Sequence, residues 1–289
     1  MIKTPSSTVI GGAGIWTPGC AVIGAPNNIH QFIKSLFSDG SQGAYLDNND
    51  LSTVYQDAAG TIAGAVGQAE GLILDKSKDL KLSDKLNTVN GFDSVPIGGQ
   101  AFNSYATGAN SVAGKTYIVE FTVSNFSGSG NVSLNGGSSQ WIFNPSSAAN
   151  CALAGNGTAR FFATAITSAA ITFFTRSTNQ CTFSNISIKE IAGNHAYQTT
   201  SIKRPTLTQG AKSKYAKFDA VDDVLQFSNT ALSNATIIRA SSSGVTVLKN
   251  QSIAANHTIT QDFSHYLMIN KALSDSEIAR ITAEFSKYV

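Results

Sequence analysis

Two groups of acidic residues and one aromatic stretch carry the chemistry that this sequence has to offer. Asp47 and Asp50 lie in "DNND", and Asp219, Asp222 and Asp223 lie in "DAVDD". Hydrolysis of a glycosidic bond needs a pair of carboxyl groups flanking a cleft, while a hard cation wants several carboxylate and carbonyl oxygens at one point. The second group has the required density, so Asp219, Asp222 and Asp223 are the candidate ligands for calcium, and no other cofactor is expected. The competing reading is structural, because aspartates at a strand end accept backbone N–H bonds and cap turns.

The four histidines, His30, His195, His257 and His265, are scattered without metal-ligand spacing. No G-x-S-x-G turn presents a nucleophile. The glycine-rich "GGAGIW" follows no strand long enough for a dinucleotide fold and reads as a loop. Sugar binding needs an exposed aromatic ring beside amide groups. Trp141 in "SSQWIFNP", flanked by Gln140 and Asn144, is the leading candidate for that platform, and Tyr105 in "FNSYATG" is the next. Against both stands the rule that aromatic rings in a sandwich are usually core.

Composition narrows the partners. Charged residues make up 13% of the 289, about half of the roughly 25% of an ordinary globular chain, so solubility rests on hydroxyls and amides. The formal charge of +2 is spread out, with no dense basic window to track phosphates, which argues against nucleic acid. Three cysteines, Cys20, Cys151 and Cys181, cannot all pair within one chain and lack zinc spacing, so a reducing folding compartment and buried thiols are expected. The first 25 residues faintly imitate a signal peptide, but glycine and proline interrupt the apolar patch. No apolar run approaches a membrane span, and membrane insertion is not expected.

The elements that must position these residues are mostly strands. "PNNIHQFIKSLFSDG" repeats Ile29, Phe32, Ile33, Leu36 and Phe37 at helical spacing, with Asn27 or Asn28 to cap and Gly40 to stop. A short helix is also expected in "NDLSTVYQDAAG", capped by Asn49 or Asp50, and "GLILD" reads as a buried strand. In "GKTYIVEFTVSNF", Tyr117, Val119, Phe121 and Val123 alternate against Ile118, Glu120, Thr122 and Ser124, the pattern of a half-buried antiparallel strand. Short strands with turn residues between them continue to residue 191, which argues for a β-sandwich of about 110 residues. More strands follow. The chain then ends in "LSDSEIARITAEFSKYV", where Ser274 and Glu277 form a capping box, Leu273 and Ile278 a hydrophobic staple, and Ile278, Ile281, Phe285 and Tyr288 one apolar face.

Four phrases go further. "SQGAYLDNNDLSTVYQDAAGTIAGAVGQAEGLILDKS" (41–77), "GNHAYQTTSIKRPTL" (193–207), "KFDAVDDVL" (217–225) and "YLMINKALSDSEIARI" (266–281) together resemble bacteriophage and prophage virion proteins with a concanavalin-like, laminin-G-like jelly roll. In such proteins "LDKS" runs almost directly into the phrase matching "GNHAYQTT", whereas here more than a hundred residues intervene. The intervening stretch resembles the carbohydrate-binding-module-like sandwich carried by phage tail proteins, in "GKTYIVEFTVSNFSGSGNVSL" and "FSNISIKEI". Ala220 stands where those virion proteins usually have glycine.

The resemblance implies a mainly β chain of two jelly-roll-like sandwiches, one inserted in the other, with an N-terminal helical segment and a C-terminal helix. The expected divisions are 1–40 for attachment, 41–80 plus 193–289 for the outer jelly roll, and 81–192 for the inserted sandwich. It implies a non-enzymatic virion component, folded in the host cytoplasm and displayed on the particle. Such a protein would be a tail fibre or receptor-binding protein that recognises host surface glycan, with capsid decoration or a head fibre as the alternative and a polysaccharide depolymerase as a third reading. Other tail or capsid subunits are the implied partners. Self-assembly, with a trimer favoured, would use Ile10, Ile15, Trp16, Val22 and Ile23.

Overall fold

The computed structural model describes residues 28–95, 102–176 and 178–289, together with the backbone of 9–11 and 14–16. Strand accounts for 43% of the described residues and helix for 13%, which makes the protein mainly β. Val9–Gly11 (β1) and Gly14–Trp16 (β2) pair antiparallel, with Ile10 opposite Ile15. Part of "GGAGIW" is therefore strand rather than loop. The side chains of Ile10, Ile15 and Trp16, and all of Val22, Ile23 and Cys20, lie outside the described residues.

Helix α1 (Ile29–Leu36) starts where the Asn28 side chain accepts the His30 N–H at 3.0 Å. It ends at Phe37, and Gly40 takes φ +87° to turn the chain. Strand β3 (Gly43–Asp47) follows. The helix expected after it is a single 3-10 turn, Leu51–Thr53, capped by Asp50. It gives way to β4 (Val54–Tyr55), because this segment satisfies its backbone by pairing with β5 (Leu72–Ile73) instead.

The next strands are β6 (Phe92–Ser94), β7 (Phe102–Asn110), β8 (Thr116–Ser127), β9 (Val132–Leu134), β10 (Gly157–Thr164), β11 (Ala170–Arg176) and β12 (Gln180–Ile191), with one helical turn, α2 (Gly137–Gln140), among them. Among the described residues these strands pair only with one another, as a four-stranded sheet β10-β8-β12-β6 and a three-stranded sheet β7-β11-β9. Tyr117, Val119, Phe121 and Val123 point into the core between the sheets, against Phe161, Phe173 and Phe183. Cys151 and Cys181 are free thiols in that same core. The opposite face of β8 is not wholly solvated. Ile118 is buried with Phe162 and Ile191 against Leu72, Leu74 and Tyr197, residues outside this set of strands.

The remaining strands are β13 (Ala196–Tyr197), β14 (Thr206–Gln209), β15 (Lys214–Lys217), β16 (Leu225–Gln226), β17 (Leu232–Ser241), β18 (Gly244–Ile253), β19 (Thr258–Ile259) and β20 (His265–Ile269). They pair with the strands that precede residue 81: β20 with β3, and β13 with β5. The result is a four-stranded sheet β18-β17-β20-β3 facing a five-stranded sheet β19-β16-β13-β5-β4. Between them lies a core that includes Leu46, Ile73, Leu225, Phe227, Phe263 and Met268. Residues 81–83 and 190–192 run side by side, joined by Ser83 N–H to Glu190 O at 2.9 Å and Ala192 N–H to Lys81 O at 2.8 Å.

Helix α3 (Asp275–Phe285) carries both bonds of the Ser274–Glu277 capping box. Leu273, Ile278, Ile281 and Phe285 are buried with Ile33, Leu36 and Phe37 of the α1 segment on the outer face of the four-stranded sheet. That sheet is thus covered by helices on one side and by the five-stranded sheet on the other. Among the described residues no helix is long and apolar enough to cross a membrane.

Candidate functional site

The residues expected to contact sugar do not converge on one surface. Trp141 is fully buried, its Nε1–H donates to Asn135 O at 2.8 Å, and its ring meets Tyr117 edge-on. The cause is local: Gly136 and Gly137 take positive φ, α2 makes one turn, and Trp141 then extends to bridge Ala165, which aims the indole inward. Trp141 is therefore a core residue and not a platform. Gln140 is buried too, donating to Ser111 Oγ and Ala170 O. Tyr105 stacks on Phe92 at 4.4 Å, and Asn144 is exposed, closing a turn on Ser146. The exposed aromatic of these strands is Phe102, at the start of β7.

The acidic groups are committed to structure. Lys76 Nζ lies 2.9 Å from Asp47 and 2.7 Å from Asp50, so one lysine bridges the first pair. Asp219, Asp222 and Asp223 do gather, with one carboxylate oxygen of each within 4.8 Å of the others. Yet Asp219 Oδ1 already accepts the N–H groups of Val221, Asp222 and Asp223, and Asp223 Oδ2 accepts the Asp219 N–H. Those bonds hold the Asp219 carboxyl below the usual range. The cluster caps a turn, and only proximity speaks for calcium. Within that turn Ala220 adopts φ +63°, a left-handed conformation that favours glycine.

His195 is a packing residue, buried where the chain returns from β12. Its Nδ1 accepts the Asp75 N–H at 2.9 Å, and burial pushes its pKa down to about 4, so the ring is neutral. The Asp75 carboxylate, also buried, accepts the N–H groups of Tyr45, Ser77 and Asn194 at 2.7–2.8 Å and the Ser77 hydroxyl at 2.9 Å. Gly193 (φ +134°) passes so close that an added Cβ would stand 3.0 Å from both Asp75 Oδ2 and His195 Cε1. The two halves of the resemblance, "LDKS" and "GNHAYQTT", meet in this knot.

The concave feature with free functional groups lies elsewhere. In the four-stranded sheet, Thr246, Arg239 and Tyr266 stand in one cross-strand row, and Leu248, Ile237 and Met268 in the next. Both rows face the side on which the five-stranded sheet packs. That sheet ends at the two-residue β19, so β18 projects past its cover and leaves a groove of about 520 Å³. Thr246, Arg239, Leu248 and Ile237 form its floor; His257, Thr258, Ile259 and Gln261 form its wall. His257 Nε2 lies 2.9 Å from Tyr266 Oη, and burial lowers the pKa of the imidazole. Arg239 contacts the Gln261 carboxamide through Nη1, while its Nε–H is buried without an acceptor. A neighbouring recess of about 620 Å³ shares Arg239, Thr260 and Gln261 and extends the groove toward Lys217 and Ala220.

A polar recess of about 880 Å³ also opens beside residues 190–194, but its cations are committed: Lys115 pairs with Glu190 at 2.9 Å and Lys78 donates to Phe37 O at 3.2 Å. The groove is hidden in the sequence because its residues come from four strands, β17 to β20, and from the turns flanking β19. The available signal was Arg239 in "ATIIRA", a charged residue in phase with the inward-facing Ile237. Comparison of the chain with protein-family models, with curated proteins and with solved structures finds no match.

Proposed function

We propose that this protein is a non-enzymatic component displayed on a bacteriophage particle, where it recognises host surface glycan through the groove over β17 and β18. The groove carries the recognition reading: an apolar floor of Ile237 and Leu248 matches the C–H face of a sugar ring, and Thr246, Thr258, Gln261 and Arg239 ring it with hydrogen-bonding groups. The virion reading rests on the four resemblance phrases. Their residues supply β3, β5, β13, β20 and the start of α3, which are paired or packed around the outer core. The salt-bridged Asp47 and Asp50 and the turn-capping Asp219 support a role in binding over hydrolysis.

Gold-labelled antibody on purified particles tests the assignment. Label at the tail tip is the expected result, and label over the head would make the protein a capsid decoration. Absence of label, with absence of its peptides from the particle by mass spectrometry, would overturn the virion reading. Self-association, a trimer in this reading, is tested by light scattering of the purified protein. A monodisperse monomer at high concentration would count against it.

A further inference from the structure

The groove contains one cation without an anion. Arg239 is half-buried on the floor, and among the described residues no carboxylate lies within ion-pair distance of it. The nearby acid, Asp262, is engaged by Lys217 at 2.8 Å and by the Phe218 N–H at 2.9 Å. One guanidinium nitrogen, Nη1, meets Gln261, and the buried Nε–H has no acceptor. A buried N–H left unpaired costs about 1–3 kcal/mol, so this atom marks a place where an acceptor is wanted. The planar fork of arginine matches the two oxygens of a carboxylate better than any single-point acceptor.

We infer that the groove takes a carboxylate-bearing saccharide, with Arg239 gripping the carboxylate and the threonine and glutamine side chains taking ring hydroxyls. The inference rests on the glycan-recognition reading above and names the class of glycan. Three features favour an acidic sugar over an acidic peptide. Polar groups on the wall, Thr258, Thr260 and Gln261, are exposed side chains spaced along one edge, suited to several hydroxyls. The aliphatic part of the floor, Ile237 and Leu248, matches an axial C–H surface. The connected recess beyond Arg239 leaves room for a second ring.

The test measures binding of the purified full chain, by titration calorimetry, to tetragalacturonate, a hyaluronan tetrasaccharide and sialyllactose, each beside its carboxyl-reduced counterpart, and to tetraglutamate. The expected result is binding of at least one acidic sugar, about 10- to 100-fold weaker binding of its reduced form, and no comparable binding of the peptide. Arg239→Met, which keeps the aliphatic stem, should erase the preference for the carboxylate, and Arg239→Lys should recover only part of it. Leu248→Glu, on an exposed edge-strand position, should block acidic sugars while leaving thermal stability unchanged, which covers the case in which the arginine variants fold poorly. Equal affinity for acidic and reduced sugars, full affinity in both Arg239→Met and Leu248→Glu, or tetraglutamate binding as tightly as the sugars, would overturn this inference and leave neutral-glycan recognition standing. Failure to bind any sugar of the set, and of a wider neutral panel, would bring down both.

Discussion

Replacing Asp75 tests whether one buried carboxylate holds the outer core to the point where the chain comes back from residues 81–192. In Asp75→Ala, three backbone N–H groups, of Tyr45, Ser77 and Asn194, lose their acceptor, and so does the Ser77 hydroxyl. Tyr45, Ser77 and Asp75 are buried, so water does not replace the lost bonds freely. At about 1–3 kcal/mol for each unpaired buried donor, the N–H groups of Tyr45 and Ser77 amount to roughly 2–6 kcal/mol, and the part-buried Asn194 N–H adds less. Part of this is offset because the variant no longer desolvates a carboxylate, a cost visible in the raised pKa of Asp75. A net loss of about 3–5 kcal/mol is expected, the range for breaking a buried charged network. Asp75→Asn keeps one acceptor oxygen and sets an NH2 group against one of the donors, so its loss should be smaller, about 1–3 kcal/mol. Urea titration followed by circular dichroism measures both. An alanine variant within 1 kcal/mol of the wild type would refute the argument, and so would an asparagine variant less stable than the alanine one.

Three further outcomes follow from single residues. Glu70 is fully buried, neither carboxyl oxygen has a partner, and burial raises its pKa well above the usual value of 4.5. Its folded-state contribution is therefore present below that unfolded value and lost as pH rises through the folded one, so Glu70→Gln should gain on the wild type in urea midpoint as pH is raised above 4.5. His195 has the opposite sign: with a folded pKa of about 4 against 6.5, its contribution is complete above pH 6.5 and falls by about 3 kcal/mol as pH drops to 4, a slope that His195→Asn should lack in the same titration. Ala220→Gly should stabilise by about 0.5–1 kcal/mol, because alanine pays for φ +63° and glycine does not, and a lower melting temperature for the variant would contradict the turn geometry.

Local patterns were legible and their surroundings were not. The alternation of β8 placed Tyr117, Val119, Phe121 and Val123 correctly, and Ser274 with Glu277 marked the start of α3, because each signal is complete within a few residues. Alternation places Ile118 on the outward face because it reports one buried face and cannot register a second body pressing on the other. The inward direction of Trp141 is hidden for a related reason: its polar neighbours in "SSQWIFNP" form a surface turn, and the direction of the indole depends on the positive φ of Gly136 and Gly137 just before it. "NDLSTVY" had helical caps and spacing, but pairing of Val54 and Tyr55 with Leu72 and Ile73 outweighed a helix that would have been barely one turn longer. The groove leaves one trace in the sequence, the charge of Arg239 in phase with Ile237, because Arg239, Thr246 and His257 become neighbours only when β18 overhangs β19.

The geometry of the 81–192 stretch explains how the outer core tolerates so long an interruption. Closing a flexible loop of about 110 residues would cost on the order of 4 kcal/mol in chain entropy, yet here Lys81 and Ala192 are hydrogen-bonded neighbours, so the closure is made by the folded strands β6–β12 themselves. Adjacent ends alone would leave those strands swinging on a two-stranded tether. Ile118, Phe162 and Ile191 prevent that by burying their side chains against Leu72, Leu74 and Tyr197, the last two on either side of the Asp75–His195 knot. The carboxylate network thus sits beneath an apolar contact that it helps to position. Loss of either should loosen the other, and the groove, built on the far strands β17 and β18 with their own helical backing from α1 and α3, is the part of the molecule best insulated from that change.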